Sequence, residues 1–240
     1  DKFIKDINFN KKDNCVFYNF AWEGLKSLTD GNFKEQLKNS FYATEALKIA
    51  KKIGCSKFIN CGSYQETFAE DILRNKLKKQ IMQENYTIAK LITRDMCRIQ
   101  AYLEKIDYIH TRLSTPLDLS LKQGGYIVST IEKIIAKDHY ENPENKNLFD
   151  IIAIEDVAKA FLQIGLKGKN KSNYYIGNCL PMTLEVFFKY VKDFLYDQKQ
   201  IKEPNISYRN IFQIEKIQED TDFAPSFRLK DMIEKFPKKI

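Results

Sequence analysis

The chain has 240 residues, of which 43% are hydrophobic and 30% are charged, and its formal net charge is +7. A chain of this length can bury a sizeable core, either as one large α/β domain or as two small ones. Its many lysines are scattered and no aromatic-laced basic segment accompanies them, so we expect a solvated basic surface and no nucleic-acid polymer as a partner.

The five cysteines are odd in number, lie far apart and include no Cys-x-x-Cys pair. Neither a zinc site nor a disulfide framework is therefore expected. No apolar run approaches the ~18 residues of a membrane span, and the first residues lack the apolar core of a signal peptide. We expect a cytoplasmic protein that does not enter a membrane.

The apolar segment CVFYNFAW, residues 15–22, is rich in aromatics and has no helical period, which predicts a buried strand. Residues 32–53 predict a long helix that ends before Gly54, because glycine favours the position after a helix C-terminus. The apolar face expected for this helix comprises Phe33, Leu37, Phe41, Ala43, Leu47 and Ala50.

Two further strands are predicted at residues 57–60 and 108–113, with a helix that carries Tyr86 and Lys90 between them. The order is then strand, helix, strand, helix, strand, with connections long enough for right-handed parallel crossovers. This pattern predicts the α/β fold class, with residues 1–115 forming part of a Rossmann-like parallel sheet that is N-terminally truncated.

Beyond Pro116 the pattern is less regular and predicts a smaller α+β lobe over residues 116–240, with some elements returning to the sheet. We expect helices at 129–136, 155–164, 183–196 and 228–236, and strands at 148–154, 173–177 and 205–210. A smaller α+β lobe that follows half a Rossmann sheet typically binds the substrate.

The segment ENYTIAKL places Tyr86 and Lys90 four residues apart, and therefore on one face of the predicted helix. A nearby ammonium favours the phenolate, so we expect Lys90 to lower the pKa of Tyr86 from its usual value of about 10. Such a tyrosine can exchange a proton with an alcohol or ketone oxygen while a nicotinamide exchanges a hydride with the carbon.

The pair alone is weak evidence. With 13 tyrosines and 33 lysines (39 basic residues less six arginines), about two Tyr-x-x-x-Lys pairs arise by chance. A surface tyrosine beside a solvated lysine is the alternative interpretation.

Ser63 supports an active site at this pair, because it follows the predicted strand at residues 57–60, at the sheet edge where ligands bind in open α/β sheets. Its alternative interpretation is an ordinary turn residue.

Several ordered segments together resemble the extended short-chain dehydrogenase/reductases, the NAD(P)-dependent epimerase/dehydratases that mostly act on nucleotide sugars. VFYNFAWEG looks like the fourth strand of that family and its alanine-rich turn beside the cofactor, and QLKNSFYAT is similar to the next helix with its Asn. KFINCGSYQE resembles the strand that delivers the catalytic Ser or Thr, and YTIAKL resembles the Tyr-x-x-x-Lys element. FDIIAIEDVAKAF and YYIGNCLPMTLEVFFKYV resemble two C-terminal landmarks.

The resemblance implies roles for individual residues. Tyr86 would be the acid/base, Lys90 would tune its pKa and bind the nicotinamide ribose, and Ser63 would polarise the substrate oxygen. Ala21 and Trp22 would line NAD or NADP with their backbone, and Asn39 would support the site from the neighbouring helix. Relatives are commonly dimers through the helices that correspond to residues 32–53 and 85–106, so a homodimer is expected by resemblance.

Two departures from the family pattern stand out. None of the nine glycines forms the Gly-x-x-Gly-x-x-Gly turn that binds the cofactor pyrophosphate. The chain is therefore either an incomplete copy of an enzyme, or a catalytically inactive remnant that binds a partner.

The segment RLSTPLDLS also differs from the usual substrate loop of the family, so the identity of the sugar is not predicted. GSYQE favours the branch with 4-keto-sugar reductases and epimerases, acting on a nucleotide-sugar substrate.

The other side chains that could act in catalysis or metal binding are expected to have structural roles. His110 and His139 have no evident Ser or Cys partner, so neither a hydrolase triad nor a histidine metal site is expected. Asp156 opens a predicted helix, where a carboxylate is stabilised by the helix dipole. Cys61 is expected to be a packed thiol.

Overall fold

The structure is a computed structural model that describes residues 14–24, 32–74, 84–143, 147–196 and 212–237. The chain divides into two units. The first comprises Asp1–Leu113 and Ile164–Tyr174, and the second comprises Ser114–Gln163 and Tyr175–Ile240. No helix within the described ranges is long and apolar enough to cross a membrane.

Strands and helices alternate along the first half of the described chain. In order they are β1 (Val16–Asn19), α1 (Phe33–Lys52), β2 (Lys57–Ser63), α2 (Glu66–Leu73), α3 (Glu84–Glu104) and β3 (Asp107–Leu113). The second half continues with β4 (Thr115–Leu117), α4 (Tyr126–Ala136), β5 (Ile151–Ala153), α5 (Ile154–Lys167), β6 (Asn173–Ile176), α6 (Leu184–Tyr196), α7 (Glu215–Thr221) and α8 (Leu229–Glu234).

The main sheet has the strand order β1-β2-β3-β6. β1 pairs in parallel with β2, with Asn19 opposite Asn60, and β2 pairs in parallel with β3, with Ser63 opposite Leu113. The predicted parallel, Rossmann-like sheet is therefore confirmed. Because Asn19 ends β1, β2 continues three residues beyond its pairing with β1 and ends at Ser63.

Helix α1 agrees with its predicted bounds. The Asn32 side chain caps its first turn by accepting a hydrogen bond from the Lys34 N–H at 2.9 Å, and Gly54 follows its end with a φ of +91°. The predicted apolar face is wrong in part, since Phe41 is 58% exposed and Phe33 is exposed as well. The buried face is instead half polar and comprises Gln36, Asn39, Ser40, Ala43, Thr44, Leu47 and Ala50.

That polar face packs on α3 through matched hydroxyl groups. Ser40 Oγ lies 2.7 Å from Thr93 Oγ1, Thr93 donates to the carbonyl of Ala89 at 2.7 Å, and Ser40 Oγ lies 3.3 Å from the same carbonyl oxygen. Because each buried hydroxyl has a partner, the two helices approach closely without the cost of an unsatisfied polar group. This contact fixes the part of α3 that carries Tyr86 and Lys90.

Several elements differ from the sequence prediction. Helix α2, strand β4 and helix α7 were not expected, and strand β2 continues three residues beyond the predicted end at Asn60. Helix α4 begins earlier than predicted, directly after Gly125, which has a φ of +92°. The strand expected at 205–210 lies outside the described residues.

In the second unit, Asp150 holds the turn that follows β6. Its buried carboxylate accepts hydrogen bonds from the Tyr175 hydroxyl at 2.6 Å and from the Cys179 and Leu180 backbone N–H groups. Burial raises the pKa of Asp150 to about 6, although these hydrogen bonds favour the ionised form. The turn is thus built around an internal carboxyl group.

Asp156 has a larger structural role than the helix-dipole interpretation gives it. It does lie in the first turn of α5, but its fully buried carboxylate also accepts hydrogen bonds from the backbone N–H groups of Ser226 (2.8 Å) and Phe227 (3.0 Å). It therefore ties the segment before α8 to α5 within the second unit.

Replacing Asp156 by alanine should lower the free energy of unfolding by about 2–4 kcal/mol, because two buried N–H groups lose their acceptor. Asp156→Asn keeps one acceptor oxygen and should cost less. Urea unfolding curves measure both changes, with the exposed neighbour Glu155→Ala as a control that should stay within about 0.5 kcal/mol. An Asp156→Ala variant as stable as this control would contradict the assignment.

Candidate active site

The structure brings together four of the predicted site residues. Ser63 is the last residue of β2, Trp22 follows β1, and Tyr86 and Lys90 lie in the first two turns of α3. The Ser63 and Tyr86 side chains are hydrogen-bonded. The rings of Trp22 and Tyr86 meet edge to face, with their centroids 5.7 Å apart.

Lys90 is a buried ammonium without a carboxylate hydrogen-bond partner among the described contacts. It is 5% exposed, and its Nζ donates to the Cys61 carbonyl at 3.0 Å. The same Nζ lies 3.8 Å from the centroid of the Trp22 ring and 5.6 Å from that of Tyr86. Burial lowers the pKa of Lys90. The indole face and one carbonyl therefore compensate for only part of the lost hydration.

The pKa of Tyr86 does not follow the sequence expectation. Burial raises it well above its usual value, and the hydrogen bond from Ser63 offsets only part of that increase. Lys90 contacts the face of Trp22 more closely than the ring of Tyr86. In this state the phenol is therefore protonated at neutral pH and is poised to donate a proton.

Two buried amides on α1 hold the segment after β1. Gln36 accepts a hydrogen bond from Trp22 Nε1 at 2.8 Å and donates to the Gly24 carbonyl at 3.0 Å. Asn39 accepts from the Glu23 N–H at 2.9 Å and donates to the Glu23 carbonyl at 3.0 Å. Asn39 thus supports this segment, while Ala21 is exposed one residue before Trp22.

The centre of the site is a buried carboxylate that sequence reasoning missed. Glu66, which is 0% exposed, accepts hydrogen bonds from the Ser63 backbone N–H and from His110 Nε2, both at 2.8 Å. Gly62 leaves the necessary space, because a Cβ at that position would lie 2.3 Å from Glu66 Oε1 and 2.4 Å from His110 Nε2.

The polar chain continues across the sheet on the far side of His110. Its Nδ1 lies 3.3 Å from Asn60 Nδ2 and 3.2 Å from the Tyr108 hydroxyl. Asn60 in turn accepts a hydrogen bond from Asn19 Nδ2 at 2.8 Å. Strands β1, β2 and β3 are therefore linked by buried side chains as well as by their backbone ladders.

One arginine, Arg112, lies on the other side of Glu66. Arg112 Nε lies 3.7 Å from Glu66, and its NH2 group lies 2.8 Å from Glu70, which also binds Arg94. Burial alone would raise the pKa of Glu66, but His110, Arg112 and the Ser63 N–H outweigh burial, so its pKa lies below the usual value. Glu66 is therefore a stable anion beside Ser63.

Two sequence signals point to Glu66 and Gln36, which the sequence prediction missed, whereas Asn39 was among the predicted site residues. Glu66 and Ser63 are three residues apart in GSYQE, a spacing that lets a carboxylate in the first turn of a helix bind the preceding backbone. Gln36 and Asn39 interrupt the helical stripe that continues through Ala43, Leu47 and Ala50, and polar residues on a core-facing stripe require partners.

This arrangement places a phenol, a hydroxyl and an ammonium near the carboxyl ends of parallel strands. Such a set suits proton exchange with an oxygen of a bound molecule. Within the described part of the chain, no group of three His, Cys, Asp or Glu residues is placed to hold a metal ion.

Comparison with known proteins gives a family match. A model described as the NAD dependent epimerase/dehydratase family matches residues 16–177. A comparison with curated proteins gave no match.

Solved structures with this fold have low sequence identity to the chain. UDP-glucose 4-epimerase of Thermotoga maritima, solved with UDP-glucose, is 16% identical with a TM-score of 0.68, covering 92% of this chain and 76% of that one. UDP-glucuronic acid 4-epimerase of Bacillus cereus, solved with NAD, is 14% identical with a TM-score of 0.68, covering 97% and 75%. RMD of Pseudomonas aeruginosa, solved with NADPH, is 14% identical with a TM-score of 0.65, covering 91% and 78%. These likenesses show the fold.

Gly62→Ala should destabilise the chain by about 2–3 kcal/mol, because the new methyl group would push apart the Glu66–His110 pair. Urea unfolding tests this. Gly54→Ala is the matched control: no atom lies within 4 Å of its Cβ position, but its φ is +91°, so it should cost about 1 kcal/mol. If Gly62→Ala lowered the free energy of unfolding by no more than Gly54→Ala does, the packing described around Gly62 would be contradicted.

Proposed function

Because the chain belongs to the NAD dependent epimerase/dehydratase family, we propose that it is an NAD(P)-dependent oxidoreductase that acts on a nucleotide-activated sugar. Ser63, Tyr86 and Lys90 carry this activity, and 4-keto reduction or epimerisation is the favoured reaction. The observation that supports it most is the buried Lys90 ammonium beside the hydrogen-bonded Ser63 and Tyr86 side chains.

The donor set fits the nicotinamide end of a dinucleotide. Lys90 is an ammonium held in place by one carbonyl and one aromatic face, so its remaining N–H groups are suited to donate to the hydroxyls of a ribose. When bound, the nicotinamide supplies or accepts the hydride at the sugar carbon. Trp22 lies over the same ammonium, and its indole therefore borders the space that a ribose would use.

Tyr86 serves the sugar oxygen. Since burial raises its pKa, the phenol is protonated at neutral pH and donates its proton to a ketone oxygen as that oxygen gains negative charge. The reverse direction, oxidation of an alcohol, requires the phenolate, which Ser63 and a nearby ammonium stabilise. The same tyrosine thereby supports both half-reactions of an epimerisation.

Ser63 orients the oxygen. Its hydroxyl is bonded to Tyr86, and its backbone is fixed by Glu66 at 2.8 Å. This hydroxyl has one proton, which it donates to Tyr86, so an oxygen bound between Ser63 and Tyr86 would receive that proton by rotation of the O–H bond while Ser63 Oγ stays in place. Glu66 acts only as a positioning residue, through the Ser63 backbone.

A second candidate function is favoured by one sequence observation. None of the nine glycines forms the turn that the family uses for the cofactor pyrophosphate. In this alternative the chain keeps the site residues without using them and acts by binding a protein partner. The two candidates differ in one measurable property, the affinity for a dinucleotide.

Calorimetric titration with NADH and NADPH separates them. The proposed activity predicts saturable binding by the 240-residue chain, and Lys90→Met should weaken it at least about tenfold by removing charge-assisted hydrogen bonds. Tyr86→Phe keeps the ring that packs on Trp22 and should bind within about threefold of the unchanged chain.

Lys48→Met is the matched control, because Lys48 pairs with Glu45 on the surface of α1. It should leave the affinity unchanged. Absence of saturable binding by a chain that is folded by circular dichroism would mean that this polypeptide by itself is not an oxidoreductase, and would favour the partner-binding alternative. Binding that Lys90→Met does not weaken would place the dinucleotide elsewhere.

We also propose that the chain forms a homodimer through α1 and α3. These helices expose large apolar side chains, among which Tyr102 is 77% exposed. On α3 the exposed set has helical spacing and forms one stripe, and contiguous apolar surface of this kind marks an interaction site. Phe33 and Ile49 of α1 are exposed as well, and the residues proposed for the interface are Phe41, Tyr42, Ile88, Met96, Ile99, Tyr102 and Leu103.

Ile99→Lys should convert the dimer into a monomer, because the charge would be buried at the centre of this stripe. Sedimentation equilibrium measures the mass directly. Leu73→Lys is the control, since Leu73 is an exposed leucine on α2, outside the stripe. A monomeric unchanged chain, or a dimer that tolerates Ile99→Lys but not Leu73→Lys, would contradict the proposed interface.

A further inference from the structure

Two cysteines meet at the amino ends of β1 and β2. Cys15 Sγ and Cys55 Sγ lie 2.9 Å apart, although the residues are 40 positions apart in the sequence. A disulfide bond joins sulfurs at about 2.05 Å, so the pair needs less than about 1 Å of movement to close. We propose that Cys15 and Cys55 form a redox-active dithiol that a peroxide or a small disulfide converts into an intramolecular disulfide.

The backbone holds the two sulfurs at this position. The Ser56 N–H donates to the Cys15 carbonyl at 2.9 Å, and the ladder continues with Val16 opposite Lys57. Cys15 and Cys55 therefore belong to adjacent chain segments that are already paired. Closing the disulfide needs no search through chain conformations, which favours the intramolecular bond over a bond to another molecule.

The two thiols differ in access. Cys15 is partly exposed, whereas Cys55 is 3% exposed and belongs to the core cluster with Leu47, Ala50 and Phe58. Burial raises the pKa of Cys55 to about 12. An oxidant from solvent therefore meets Cys15 first, and Cys55 then resolves the oxidised sulfur, losing its proton as the new bond forms.

The reaction balances without any further group. With hydrogen peroxide, the Cys15 sulfur is oxidised to a sulfenic acid and one water is released. Cys55 then attacks that sulfur, the S–S bond forms, and the sulfenic oxygen leaves as a second water. The two thiols together lose two electrons and two protons, and the peroxide is reduced. With a small disulfide, two thiols of the reagent are released instead.

The position of the pair gives the disulfide a defined consequence. Cys55 lies before β2, whereas Ser63 ends that strand, so the bond forms at the opposite end of β2 from Ser63. It would close a loop that contains β1 and α1 and would tie β1 covalently to β2. Cross-links that close long loops restrict the unfolded chain, so the oxidised form should unfold at a higher temperature.

The other three cysteines provide internal controls. Cys97 is buried, and Cys61 and Cys179 are partly exposed. Among the residues that the structure describes, none of these three sulfurs is placed at hydrogen-bonding distance from another sulfur. General oxidation of exposed thiols would therefore modify Cys61 and Cys179 at least as readily as it would modify Cys55.

The test treats the reduced 240-residue chain with hydrogen peroxide or oxidised glutathione, followed by N-ethylmaleimide and intact mass measurement. We expect two of the five thiols to become protected, a peptide map that joins Cys15 to Cys55, and a higher thermal midpoint than that of the reduced chain. Cys15→Ser and Cys55→Ser should each abolish both the protection and the thermal shift. Cys61→Ser should retain both.

Three results would overturn the proposal. In the first, all five thiols still react with N-ethylmaleimide after treatment with the oxidant. In the second, the disulfide that forms includes Cys61, Cys97 or Cys179. In the third, Cys15 ends as a glutathione adduct or a sulfinic acid instead of forming a disulfide with Cys55. The primary measurement uses the unchanged chain, so a variant that fails to fold does not affect it.

Discussion

Burying an ionised carboxylate costs several kcal/mol unless charged or hydrogen-bonding groups surround it, and Glu66 sits fully buried beside the candidate active site. Its oxygens bind the Ser63 N–H and His110, with Arg112 nearby. The absence of a side chain at Gly62 makes this approach possible. Ser63 therefore owes its position to a buried, hydrogen-bonded carboxylate, and the Ser63 hydroxyl in turn forms a hydrogen bond with Tyr86.

A second constraint acts from the neighbouring helix. Gln36 fixes the indole of Trp22, whose face lies against the Lys90 ammonium, and Asn39 fixes the backbone of Glu23. The lysine thus has a defined place before any ligand arrives. The indole face replaces part of the water around the buried cation with a fixed environment. The position of Lys90 is therefore set in advance by residues outside the Tyr-x-x-x-Lys motif.

The sequence predicts the sheet well, because alternation of apolar runs with helical stripes depends on local pattern alone. It also predicts that Ser63, Tyr86 and Lys90 meet, since strand ends and helix faces follow from periodicity. It does not predict the raised pKa of Tyr86, which depends on burial in three dimensions. Nor does it predict the partner of His110, because Glu66 lies 44 residues away and reaches it only through the parallel pairing of β2 and β3.

The central claim, that these residues face a nicotinamide dinucleotide, is tested most directly by fluorescence, since Trp22 is the only tryptophan in the chain. NADH absorbs tryptophan emission, so a nicotinamide bound beside Lys90 should quench the emission of Trp22 saturably and gain sensitised emission of its own. The same experiment on Lys90→Met should show neither change at those concentrations. Trp22 emission that stays constant while NADH binds would contradict the claim, because the dinucleotide would then occupy another part of the protein.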